Sequence, residues 1–539
     1  MLHRVLFLLL ASNLVFAQTE TDISEDQRPE SEVHAAADPN DTDVIVAAAV
    51  NDLSPGGGTL NSRLSVYYSH DGGHSWTRSN YHGGGQDYPL QYTADPTVAF
   101  DQKGTAYLAH LVWVPNGNNQ LTSHIIVSES TDGGVTWTET TARTTDDSIL
   151  DKPWLFADPN DGMIYLTYLE ATGTAWLSYN VRLQRLAPNA STWSDPVTVN
   201  QQNYNGPVNF PTGCVAPDGR VTISYVASNS GIQMRCNTST DGGATWSADR
   251  LIAPMVMYYN DFTTLVTISK IGLDRLYPCQ QLAYDQEGTL HLTYTDREPG
   301  FTEYGLEVYH RSSSDHGLTW TDRQTLTPGQ PTSRNQYYAA LAAAPDGTLH
   351  ATWYDRRTDP LNRHTHFYLG DLNADGTVAQ ETQLTNQPTD FYHIGNQNDG
   401  FGIGEYTALV VTDDYVLAIW PDGRQNTGRI DLYAARMERS GTTPTLTARS
   451  GLDVPFSVGR PFPNPAATSS RVELRLDESL DLDCQLVDGT GKIVWQRQTG
   501  TLPVGRHDLD LSLAGLAAGS YWLTVTAGTV PQSVLVEVR

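Results

Sequence analysis

SHDGGHSW (residues 69–76) is the first of four copies of one short pattern, S-x-D-x-G-x-x-W. The others are STDGGVTW (130–137), STDGGATW (239–246) and SSDHGLTW (313–320). Each fixed position has a physical reason. Asp71, Asp132, Asp241 and Asp315 can fold back onto backbone N–H groups and hold a tight turn. Gly73, Gly134, Gly243 and Gly317 supply the positive φ that such a turn needs. The Trp then covers the hairpin. A hairpin recurring along the chain implies a repeat fold. The spacing from Asp71 to Asp132 exceeds one hairpin and suits one four-stranded propeller blade, about 40–50 residues plus loops.

Working outward from the boxes, seven segments share a strand–turn–strand pattern. They are EVHAAADPNDTDVIVAAAVND (from Glu32), DPTVAFDQKGTAYLAHLVW (from Asp95) and DKPWLFADPNDGMIYLTYLE (from Asp151). FPTGCVAPDGRVTISYV (from Phe210), YPCQQLAYDQEGTLHLTYTDRE (from Tyr277), YYAALAAAPDGTLHATWYDRR (from Tyr337) and EYTALVVTDDYVLAIWPDGR (from Glu405) follow. Each has an apolar strand, a turn built on Asp with Gly or Asn, and a second apolar strand. A third strand such as RLSVYYS or HIIVSES comes next in most, and the box turn leads into a fourth. Near-continuous apolar strands suit a blade packed on both faces. The expected fold is all-β: a seven-bladed β-propeller between about Glu30 and Met437, followed by a small C-terminal β-sandwich. Six blades with a separate N-terminal element is the alternative.

Residues 1–17 read as a secretory signal. His3 and Arg4 precede a mostly apolar stretch from Leu6 to Phe16, and Val15-Phe16-Ala17 is a cleavage site of the usual kind. That run is too short for a membrane-spanning helix, and no later segment is longer, so no transmembrane segment is expected. No Cys follows the signal to carry a lipid. The formal net charge of −28 disfavours nucleic acid and anionic membrane as partners. Cys214, Cys236, Cys279 and Cys484 match no zinc spacing, and export permits disulfides without identifying a pair.

The expected propeller occupies residues 18–450. The Pro-rich SVGRPFPNPAATSSR marks the start of a second domain, residues 456–539. RVELRL, CQLVDGTGKIVWQRQ, HDLDLSL and GSYWLTVTAG then read as a small antiparallel sandwich. PFPNPA, the DGTGK hairpin and LAGLAAGSY resemble the C-terminal sorting domain of the type IX secretion system. The resemblance implies the type IX machinery as a partner. It also implies export through the periplasm to a secreted or cell-surface location.

In a blade the first strand starts and the second ends on the same side of the disc. Residues at these positions should converge around the central opening. They include Glu32, Asn51, Asp52, Asp95, His110, Asp151, Lys152 and Glu170, then Asp296, Arg297, Glu298, Tyr337, Asp355, Arg356 and Arg357, and last Glu405, Tyr406, Asp422 and Arg424. So many ionisable groups at the ends of apolar strands point to a functional mouth. The competing reading is that Asp–Arg pairs, such as Asp355 with Arg357 or Asp422 with Arg424, tie blades together.

The boxes resemble those of sialidases (neuraminidases) and related BNR-repeat propellers, in which they are structural. GEYTAL (404–409) is similar to the tyrosine-bearing strand of that family. The resemblance implies an exo-acting glycoside hydrolase on terminal acidic sugars, needing no cofactor, with a glycan substrate. Tyr406 would be the nucleophile. A phenol, with pKa about 10, needs a nearby base. Glu405 is adjacent but alternates to the other strand face, so Glu298 or Asp355 could serve instead. Asp52 would be the acid/base. Arg297, Arg356, Arg357 and Arg424 would clamp the sugar carboxylate through forked bonds. Asp95 and Asp151 would complete the substrate site. Glu32-Val33-His34 stands where sialidases carry Arg-Ile-Pro. A glycan- or protein-binding surface propeller without catalysis is the alternative. DLNADGTVAQE (371–381) reads as a hairpin turn rather than a calcium loop, and His364 with His366 lack further metal ligands.

Overall fold

A computed structural model describes residues 19–24, 28–52, 62–81, 83, 92–115, 121–143, 148–172, 178–204, 206, 208–228, 231–256, 277–298, 305–331, 333–391, 403–404, 406–425, 429–439, 456–459, 461, 466–476, 479–487, 492–527 and 530–539. The expected signal segment and Glu405 lie outside the described residues. The chain divides into two compact units, Met1–Arg439 and Ser440–Arg539.

Among the described residues of the first unit, seven antiparallel sheets form a β-propeller. Blades 1 to 6 run in chain order, over residues 30–78, 92–143, 148–198, 208–254, 281–325 and 336–383. Blade 7 is built from both ends of the unit. Strands Ala408–Val411, Tyr415–Asp422 and Asp431–Glu438 are completed by Thr19–Asp22, which pairs Thr19 with Arg436 and Asp22 with Tyr433. An early strand thus closes the ring.

Neighbouring blades are joined near the axis. Asp95 N–H donates to Glu32 Oε2 at 3.1 Å and Leu155 N–H to Thr97 Oγ1 at 3.1 Å. Tyr338 N–H donates to Thr295 Oγ1 at 2.9 Å, and Glu30 N–H to the Ile430 carbonyl at 2.9 Å. Between sheets the filling is aromatic and aliphatic: Phe156, Tyr165, Leu183, Ile223 and Tyr225 form one such layer.

The four boxes join third to fourth strands in blades 1, 2, 4 and 5. In each, the Asp accepts from the N–H and hydroxyl of the residue four places on, as Asp241 does from Thr245 at 2.8 and 2.6 Å. The glycines face the preceding blade closely. A Cβ on Gly134 would stand 2.7 Å from Val46, and one on Gly243 2.4 Å from Leu183. The boxes are therefore clamps between blades as well as turns.

The innermost strands share one irregularity. The ladder slips between Ser31 and His34, Ala94 and Thr97, Asp151 and Trp154, Asn209 and Thr212, and Tyr337 and Ala340. Each slip is a β-bulge whose first extra residue is left-handed: Glu32, Asp95, Lys152, Phe210 and Tyr338, with φ between 50° and 56°. Cys279, with φ 46°, takes the matching place ahead of blade 5's first strand. Holding a non-glycine residue there costs roughly 1–3 kcal/mol. In blades 2, 3 and 4 the next residue is Pro96, Pro153 or Pro211, whose missing N–H is harmless where the ladder is interrupted.

The second unit holds a three-stranded sheet, Phe456–Val458, Ser469–Leu476 and Gly505–Ser512. Facing it is a four-stranded sheet of Ile493–Leu502, Leu480–Val487, Gly519–Ala527 and Val530–Val538. Their shared core includes Phe456, Leu474, Cys484, Leu511, Leu523 and Val536. All four cysteines are free thiols.

Candidate active site

The left-handed bulge residues of blades 1, 2 and 3 come together, and there the chemistry concentrates. Glu32, Asp95 and Lys152 come from blades 1, 2 and 3, and are 0 %, 2 % and 8 % exposed. Lys152 Nζ donates to Asp95 Oδ1 at 2.7 Å. The Tyr406 hydroxyl, just ahead of blade 7's first strand, donates to the same oxygen at 3.1 Å. Asp151 Oδ1 accepts the Lys152 N–H at 3.0 Å and braces the bulge behind it. One carboxylate oxygen thus holds an ammonium and a phenol together.

Aromatic rings surround this group. Lys152 Nζ lies 5.6 Å from the Tyr406 ring centre, 5.7 Å from that of Phe210 and 6.0 Å from that of Tyr277. These are cation–π distances. Trp154 stands 6.0 Å from Tyr406, and His34 meets Trp154 edge-on at 4.8 Å. His34 Nδ1 accepts the Val98 N–H at 3.1 Å, and burial pushes its pKa down to about 4, so it is neutral at physiological pH. Beside the group lies a cleft lined by Lys152, Trp154, Phe210, Pro211, Thr212, Cys279, Gln280, Gln281 and Tyr406.

Of the residues singled out in the sequence, Tyr406 and Asp95 meet. The partner of Tyr406 is Asp95, not Glu298 or Asp355. Glu298 accepts from the Tyr309 hydroxyl and faces Arg323, while Asp355 binds Arg357 and the Trp353 indole. Asp52 ends the second strand of blade 1, on the side where the first strand begins. Arg297 ends the second strand of blade 5, and its Nε has no hydrogen-bond partner among the described residues.

The expected arginine clamp is not assembled from the other three. Arg356 is fully buried, with Nε on Thr365 at 2.8 Å and a terminal nitrogen on the Asn362 carbonyl at 3.0 Å. Arg357 forks onto Glu381 at 2.6 and 2.9 Å and bonds Asp355 at 2.7 Å. Arg424 bonds Asp422 at 2.7 Å, pairs with Glu20 of the ring-closing strand, and covers the Tyr433 ring at 4.0 Å. These bonds brace strands within blade 6 and within blade 7, rather than tying neighbouring blades together.

Sequence reasoning missed the cleft wall of Trp154, Phe210, Cys279 and Gln280. A signal was available: D-P, K-P, F-P and Y-P open four successive units near the same strand position.

Residues 460–535 match the family described as the secretion system C-terminal sorting domain. The chain therefore carries a type IX sorting domain, which indicates export. No helix among the described residues is long and apolar enough to cross a membrane. No curated protein sequence matches the chain. Among solved structures it is similar to a protein of unknown function from Dyadobacter fermentans, with 14% identity, TM-score 0.44, and 78% of this chain and 97% of that one covered. It is also similar to the GH93 α-L-arabinofuranosidase of Fusarium graminearum in complex with arabinobiose, with 14% identity, TM-score 0.40 and coverage of 78% and 98%. A third similar structure is the leech intramolecular trans-sialidase, with 11% identity, TM-score 0.40 and coverage of 76% and 68%.

Proposed function

We propose that this protein is an exported, sialidase-like glycoside hydrolase that removes a terminal sugar at the cleft on the propeller axis, with Tyr406 as nucleophile. The observation that carries the reading is the hydrogen bond from the Tyr406 hydroxyl to Asp95 Oδ1, at 3.1 Å, with Lys152 on the same oxygen. A phenol becomes a competent nucleophile when a base stands within hydrogen-bond reach. In this reading Asp95 takes the phenolic proton as the tyrosyl oxygen bonds to the anomeric carbon. The glycosidic C–O bond breaks, and the leaving oxygen takes a proton from an acid, the role in which the sequence cast Asp52. Water then attacks the anomeric carbon and gives a proton to that same carboxylate, now the base, while the bond to Tyr406 breaks and the proton on Asp95 returns to the phenol. The Lys152 ammonium, 5.6 Å from the ring centre, would offset negative charge developing on the phenolic oxygen. The aromatic wall would exclude water and give a sugar face a surface to lie on.

A sialidase in the strict sense must also hold the sugar carboxylate. With Arg356, Arg357 and Arg424 engaged in blades 6 and 7, that duty would fall to Lys152 or Arg297. The test is release of fluorophore from a panel of 4-methylumbelliferyl glycosides by the mature protein, with Tyr406→Phe in parallel. Wild type should hydrolyse at least one glycoside, and the variant should lose about 100-fold or more. Activity that survives the substitution would discard Tyr406 as nucleophile. A protein that binds glycans but releases no fluorophore would be the non-catalytic propeller.

A further inference from the structure

The charges at the axis, and the groups that already hold them, bear on which sugar the cleft takes. A site for an acidic sugar needs a cation whose charge is not already met, ideally a guanidinium fork. Lys152 is the one charged residue among the cleft-lining side chains, and its ammonium sits 2.7 Å from Asp95. Glu32 lies beside that pair, its Oε2 on the Asp95 N–H. The cation among the described lining residues is thus one that Asp95 already meets. A carboxylate brought by a substrate would have to compete with Asp95 for it in a buried, weakly screened place. The whole chain, at −28, works in the same direction.

The remaining lining is aromatic or amide and hydroxyl. Trp154 and Phe210 offer flat apolar faces, and Gln280, Gln281 and Thr212 offer neutral hydrogen-bonding groups. Gln280 is the most telling of them. It is 1 % exposed, its amide nitrogen donates to the Phe210 carbonyl, and its Oε1 has no hydrogen-bond partner among the described residues. A buried acceptor without a donor is rare in native proteins and calls for one. A sugar hydroxyl or an N-acyl N–H would supply it.

We infer that the cleft takes an uncharged sugar, which lies against the aromatic wall and donates a hydrogen bond to Gln280 Oε1. The inference rests on the glycan-site reading above and names its substrate class. It departs from what the box resemblance implies, an acidic sugar.

The test compares hydrolysis of 4-methylumbelliferyl glucoside, galactoside and N-acetylglucosaminide with that of the sialoside and glucuronide. Binding of the corresponding free sugars is followed through tryptophan fluorescence. Gln280→Leu and Arg297→Gln are run alongside. The expected result is a kcat/KM at least about 100-fold higher for an uncharged glycoside, little affected by salt, and lowered about 10-fold or more by Gln280→Leu. Preferred cleavage of the sialoside or glucuronide, lost in Arg297→Gln, would overturn the inference and leave the hydrolase reading standing. Binding of an uncharged sugar without hydrolysis, weakened by Gln280→Leu, would uphold the inference and sink the hydrolase. Neither binding nor hydrolysis of any uncharged sugar would overturn both.

Discussion

Replacing Lys152 by Met tests the centre of the site through stability alone, without a substrate. The side chains of Lys152 and Asp95 are 10% and 3% exposed and 2.7 Å apart. At that distance, with an effective dielectric near 20, their attraction is roughly 6 kcal/mol before desolvation is counted. Removing one member of such a pair, and leaving the other charged and buried, costs about 3–5 kcal/mol. Met fills nearly the same volume and keeps contact with the Phe210, Tyr277 and Tyr406 rings, so little of the loss comes from packing. Lys152→Met should therefore destabilise the propeller by about 4 kcal/mol at pH 7, read from urea denaturation followed by tryptophan fluorescence. Adding Asp95→Asn should recover most of that loss, since no charge is left stranded. A loss below about 1 kcal/mol at pH 7, or one that Asp95→Asn fails to relieve, would refute the buried pair at the axis.

Glu307 lies in blade 5 with both Thr325 and Thr327 hydroxyls on Oε2, at 2.9 and 3.1 Å, and burial pushes its pKa up to about 7. A carboxyl raised in the folded state costs stability as pH climbs from its unfolded value to its folded one. Glu307→Gln should accordingly raise stability by about 2 kcal/mol at pH 8 and change nothing at pH 4, measured by denaturation at both. Asp241 shows the opposite sign. Hydrogen bonds from Thr245 hold it down to about 2, so its contribution is complete above its unfolded value near 4 and disappears as pH falls to about 2. Asp241→Ala should cost about 1 kcal/mol at pH 7 and nothing at pH 2. Gly404 has φ +77°, and a Cβ there would meet the Glu32 backbone N at 2.6 Å and Cα at 2.9 Å. Since backbone cannot swing aside, Gly404→Ala should displace Glu32 and Tyr406, and lower kcat/KM on the best glycoside by about 10-fold or more while the variant stays folded on circular dichroism.

The architecture was legible because it is written in local chemistry. Four boxes fix four hairpins, and seven Asp-containing turns between apolar runs fix seven pairs of inner strands. The closing strand Thr19–Asp22 was not legible: four residues with no apolar period gain their strand conformation only by pairing with Asp431–Glu438. The site was half legible. Tyr406 could be found from GEYTAL and Asp95 from its place at a strand end. Their meeting could not, because it depends on closing a ring between blades 7 and 2. The arginines misled for a related reason. Spacing shows that Arg357 and Arg424 sit at the mouth side of their strands, but not that Glu381 and Glu20 on outer strands lie within reach of them.

The bulges explain how a repeated backbone yields a site that is not repeated. The first strands of blades 1 to 4 and 6 each spend one left-handed residue at a bulge, as Cys279 does ahead of blade 5's first strand, and the identity of that residue differs from blade to blade while the backbone carries the same strain. Blades 1 to 3 place Glu32, Asp95 and Lys152 there, and blades 4 to 6 place Phe210, Cys279 and Tyr338. The ring therefore has a charged half and an apolar half, and Tyr406 enters from blade 7, bonded to Asp95 and facing Trp154. A sugar is divided in the same way, with C–H faces that prefer aromatic surface and hydroxyls that prefer hydrogen-bonding groups. Exchanging Phe210 for Ala would remove part of the second half and bring no charge to Lys152, whose Nζ lies 5.7 Å from the ring centre. If the division matters to the ligand, Phe210→Ala should weaken sugar binding while the Lys152–Asp95–Tyr406 group, read from the stability cost of Lys152→Met, persists.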